Sequence, residues 1–80
     1  MITADAVVRR ISEHHLLQPD QVVGAETELL ESGLVDSLGV VALVAWLEDE
    51  SGVEIDPIEV VLENFRTPQA IAELMTRLAR

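Results

Sequence analysis

Apolar residues recur at the spacing of an α-helix in separate parts of this 80-residue chain, and that periodicity limits the fold more than any other feature. Near the N-terminus, an i, i+3, i+4, i+7 pattern begins at Ala4 and ends at Ile11. The same spacing returns from Val40 to Leu47 and from Ile71 to Leu78. We read no β-strand in the chain. The sequence therefore predicts an all-α fold.

Capping residues indicate where the two longer N-terminal helices begin and end. Thr3 can cap the first helix, which we expect to end near Leu17. The second helix should run from about Ser37 to Glu50, because Gly52 is typical of the position just after a helix.

Two further helix starts follow along the chain. Asp56, Pro57 and Glu59 combine an N-cap residue, proline at the first helical position and glutamate at the third. They predict a short third helix that ends near Asn64. Thr67–Pro68 repeats the cap-then-proline signal before the last apolar stripe.

The chain has the size of one small domain. Eighty residues can bury one core, with an expected stability of roughly 4–12 kcal/mol. Residues 18–36 show no sustained periodicity and form a long first connection. We therefore expect a single domain over residues 1–80, folded as an antiparallel four-helix bundle with a short third helix.

Composition restricts the possible partners. The chain has 15 acidic and 5 basic residues, a net charge of -10, and 49% hydrophobic residues, which indicates an apolar core under an acidic surface. Nucleic acid and anionic membranes would be repelled. No segment reads as a signal peptide or a membrane span, so we expect a cytoplasmic protein. Without cysteine, any thiol chemistry must come from an attached group.

Ser37 is the candidate functional residue. Gly33 can reverse the chain, and Asp36 is a strong N-cap residue, which places Ser37 in the first turn of the second helix. A hydroxyl there lies beside free backbone N–H groups and the positive end of the helix dipole, where a phosphate ester is stabilised. The alternative interpretation is that the Asp-Ser pair is only a helix cap.

The second helix carries a second apolar stripe on the side of Ser37. A small domain has too few elements to cover both stripes of one helix, so we expect the second stripe to bind a partner. The predicted partner-binding residues are the four apolar residues of this stripe and one acidic residue next to them: Leu38, Val41, Ala42, Ala45 and Glu48.

The segment Glu31-Ser32-Gly33-Leu34-Val35-Asp36-Ser37-Leu38 resembles the attachment motif of acyl and peptidyl carrier proteins. The order of helices resembles their four-helix bundle over nearly all 80 residues, and Asn64-Phe65-Arg66-Thr67-Pro68 follows at the matching distance. By this resemblance Ser37 would carry 4'-phosphopantetheine, added from coenzyme A by a phosphopantetheinyl transferase. Asp36 would help to bind the transferase and its metal-bound coenzyme A, and Leu38 would complete the cofactor site.

Details of the motif favour one branch of that resemblance. Gly39 and Ala42 stand where fatty-acid-type carriers usually have acidic residues. Asp36-Ser37-Leu38-Gly39 looks more like free-standing aminoacyl carriers of the D-alanyl type, and a start at Met1 suits a free-standing protein. The implied partners are an adenylate-forming ligase and an acyltransferase or synthase, in natural-product biosynthesis by a polyketide or nonribosomal peptide route. We expect a monomer.

Two other interpretations belong to different classes. In one, the chain is a helical interaction domain that docks a partner through its second helix. In the other, residues 48–54 form an acidic cation-binding module, although they lack the order of ligands in an EF-hand. An enzyme is not expected, because no nucleophile–base pair can be assembled and His14 and His15 lie at an exposed helix end. No metal ligands are predicted.

Overall fold

The computed structural model describes residues 1–14 and 22–79. These residues form three helices and contain no strand: α1 (Ala4–His14), α2 (Ser37–Ser51) and α3 (Pro68–Leu78). Two single 3-10 turns lie between α2 and α3, at Pro57–Glu59 and Leu62–Asn64. The predicted helical class is therefore confirmed for the described part of the chain. The predicted end of α1 near Leu17 lies outside the described residues, as does His15.

One hydrophobic core joins the three helices and the segments between them, and α1 packs against α3. The apolar stripes predicted from the sequence supply its centre. Each large apolar side chain that is fully removed from water stabilises the fold by roughly 1.5–3 kcal/mol. The buried core residues are Val7, Ile11, Val23, Leu29, Leu34, Val35, Leu43, Leu47, Ile55, Phe65, Ile71, Leu74 and Met75.

The predicted caps form as expected. The hydroxyl of Thr3 accepts a hydrogen bond from the N–H of Ala6 at 3.1 Å, and that of Thr67 accepts from Ala70 at 3.0 Å. Gly52 ends α2 in the left-handed conformation, with a φ of 71°. These bonds satisfy backbone groups that lack a partner inside the helix.

The predicted short third helix forms only in part, as two separate 3-10 turns that end at Asn64. Asp56 does cap a turn, since its carboxylate accepts from the N–H of Ile58 at 3.0 Å. The turn then closes by a 3-10 bond, from the N–H of Val60 to the carbonyl of Pro57 at 3.0 Å, and does not continue. Val61 is extended, with φ -123° and ψ 158°.

Two adjacent β-branched residues explain this break. Val60 and Val61 lose side-chain freedom against the preceding turn of a helix, so an extended conformation competes well at this point. A second 3-10 turn follows and closes from the N–H of Phe65 to the carbonyl of Leu62 at 3.2 Å. The four-helix bundle expected from the sequence is thus replaced, in the described residues, by three α-helices and two short turns.

The helices are also short and mixed in polarity. None of those in residues 1–14 and 22–79 is long and apolar enough to cross a membrane.

Candidate functional site

The segment before α2 is shaped to expose two residues. Gly33 has a φ of 78°, a left-handed conformation that glycine adopts without the steric cost of a Cβ atom. The chain reverses there and buries the next two side chains, Leu34 and Val35, in the core. Asp36 and Ser37 then emerge on the surface.

Backbone hydrogen bonds hold this segment in place. The N–H of Val35 donates to the carbonyl of Leu29 at 3.1 Å, and the N–H of Leu29 donates to the carbonyl of Arg66 at 2.8 Å. The N–H of Gln69, on the first turn of α3, donates to the carbonyl of Ala25 at 2.9 Å. The segment that precedes α3 is therefore fastened to the segment that precedes Ser37. Sequence reasoning did not find these partners, because they are distant in the chain.

An ion pair reinforces the same contact. Nε of Arg66 lies 2.9 Å and 3.0 Å from the two carboxylate oxygens of Glu28. The hydrogen bond to Glu28 and its charge, with smaller contributions from Glu31 and Glu63, raise the pKa of Arg66 above its ordinary value. The Arg66 side chain is 55% exposed and that of Glu28 is 37% exposed, so the pair adds little stability.

Asp36 caps α2 as the sequence predicts. Its backbone is extended, with φ -96° and ψ -175°, and its carboxylate accepts from the N–H of Gly39 at 2.8 Å. Its carbonyl accepts from the N–H of Val40 at 3.0 Å. Ser37 is therefore the first residue of α2, and its side chain is exposed at the positive end of the helix dipole.

Two other serine hydroxyls donate hydrogen bonds to backbone carbonyls. Ser32 donates to the carbonyl of Glu28, and Ser51 donates to the carbonyl of Leu47 at 2.6 Å. Neither hydroxyl lies on the first turn of a helix: Ser32 precedes α2 and Ser51 is its last residue. The exposed hydroxyl of Ser37 is better placed for attachment of a group.

The second apolar stripe of α2 faces solvent. Leu38 is 79% exposed and Val41 is 66% exposed, and Ala42 and Ala45 are exposed beside them. Glu48 is only partly exposed, because its carboxylate accepts from the backbone of Ile55. The exposure is that expected of a partner surface, while the partner role of all five residues stays a prediction.

A second group of exposed apolar side chains was missed in the sequence. We call it the apolar quartet, which lies on and between the two 3-10 turns and consists of Ile58, Val60, Val61 and Leu62. The sequence analysis assigned these residues to a helix, and a helix would have buried some of them in the core. Four apolar residues among five consecutive positions are the signal that could have identified it.

The acidic segment proposed for cation binding is arranged differently from a metal site. Residues 48–51 belong to the last turn of α2, and Glu48 bonds the backbone of Ile55. Within residues 1–14 and 22–79, no group of three or more His, Cys, Asp or Glu side chains is placed to hold a metal ion.

Comparison with known families identifies the site. A family model described as the phosphopantetheine attachment site matches residues 6–75. The chain belongs to this family. Its members carry covalent 4'-phosphopantetheine and are non-catalytic carriers, which interact with phosphopantetheinyl transferases and with ligases or synthases. No curated protein matches the chain significantly.

The cap allows a first prediction. Asp36→Ala should destabilise the carrier by about 1 kcal/mol, because the N–H of Gly39 loses its partner. Thr67→Ala removes the equivalent cap of α3 and is the matched control. If Asp36 also assists the transferase, phosphopantetheine transfer should slow in Asp36→Ala and not in Thr67→Ala. Equal transfer rates in two folded variants of equal stability, measured by denaturant unfolding, would show that Asp36 is only structural.

Proposed function

We propose that Ser37 is the residue that carries 4'-phosphopantetheine and that the chain transports an acyl or aminoacyl group as a thioester on that arm. The observation that carries the proposal is the exposed Ser37 hydroxyl on the first turn of a helix capped by Asp36. A phosphodiester at this position lies against backbone N–H groups and the positive end of the dipole. The bound arm supplies the thiol, which the cysteine-free chain lacks.

Once Ser37 is modified, the protein's own residues position the arm and take no part in making or breaking the thioester. The buried pair Leu34 and Val35 fixes the chain just before the attachment point, and Asp36 fixes the start of α2. Leu38, which follows Ser37 and is exposed, lies beside the root of the arm. An attachment point that is fixed by the core and carries an exposed arm suits a protein that presents its cargo to successive enzymes.

For the cargo, we favour an aminoacyl group loaded by an adenylate-forming ligase and passed to an acyltransferase or synthase. Gly39 and Ala42 support this choice, because they leave α2 without acidic side chains close to Ser37. A role in polyketide or nonribosomal peptide biosynthesis, existence as a free-standing monomer and a cytoplasmic location stay predictions.

Transfer from coenzyme A tests the proposal. The unmodified protein is incubated with coenzyme A, Mg²⁺ and a phosphopantetheinyl transferase of broad specificity, and its intact mass is measured. A gain of one phosphopantetheine is expected, and peptide mapping should place it on Ser37. No gain in mass, with a known carrier modified in the same mixture, would contradict the proposal and favour the alternative of a helical interaction domain.

A further inference from the structure

We draw no further inference here: the strongest candidate, the cleft between α1 and α2 where the guanidinium of Arg10 lies over the ring of Trp46, carries nothing, because the acidic side chains that also line it oppose an anionic ligand and nothing in the structure shows what covers it.

Discussion

Ser37→Ala should fold normally and take up no phosphopantetheine. The Ser37 side chain is exposed, and alanine is the best helix former, so the variant loses no packing and no helix propensity. It loses the hydroxyl that the structure exposes at the capped start of α2. We expect complete loss of the mass increase that marks modification, with an unfolding midpoint close to that of wild type.

Ser12→Ala is the matched control for this experiment. Ser12 is also an exposed helical serine, on α1, and its replacement removes the same atoms at a distance from the capped start of α2. This variant should gain one phosphopantetheine at the wild-type rate. Modification of Ser37→Ala at Ser12, Ser32 or Ser51 would show that the attachment site has been assigned incorrectly.

The correct sequence-based predictions concern interactions within a few residues. The Asp36 carboxylate accepts a hydrogen bond from the N–H of Gly39, three residues ahead. Gly33 reverses the chain and Gly52 ends α2, and each does so by adopting a positive φ. Each depends on the chemistry of one residue and its immediate neighbours, so a pattern in the sequence is enough. The local geometry of Ser37 could be predicted for the same reason.

The third helix shows where local signals fail. Asp56 and Pro57 start a turn as predicted, but a start signal does not set how far a helix continues. Val60 and Val61 favour the extended backbone. The side-chain amide of Asn64 donates a hydrogen bond to the carbonyl of Glu59 at 2.8 Å, across the break between the two turns. The result is two 3-10 turns with apolar side chains left in solvent.

Contacts between distant residues could not be predicted at all. The bond from Leu29 to Arg66 and the bond from Ile55 to the Glu48 side chain join segments that meet only in the folded protein. No periodicity encodes either of them. Glu48 was predicted only as a partner-binding residue, and its internal bond became visible once the path of the chain after α2 was known.

Val41→Asp should weaken the binding of the carrier to its partner enzymes strongly. Val41 is 66% exposed on the α2 stripe beside Ser37, so the free protein tolerates a carboxylate there. In a complex the same carboxylate would be removed from water without a partner. We expect a loss of at least about 2 kcal/mol of binding free energy, or roughly thirtyfold in Kd, for the transferase.

Val22→Asp is the control for added negative charge. Val22 is 86% exposed and lies in the first connection, outside the α2 stripe, so the two variants have the same net charge and the same substitution. Its affinity for the transferase should stay near that of wild type. Equal weakening by both variants would mean that overall charge, rather than contact at Val41, controls binding.

A salt series measured on the same variants distinguishes an apolar interface from an electrostatic one. The net charge of -10 can attract a basic partner, but salt screens that attraction over about 8–10 Å near physiological ionic strength. Because the first turn of α2 has no acidic residue and Ala42 is apolar, wild-type affinity should fall only mildly as salt rises, mainly through the association rate. A steep fall in affinity, together with normal binding by Val41→Asp, would place the interface elsewhere, on acidic residues such as Asp49 and Glu59.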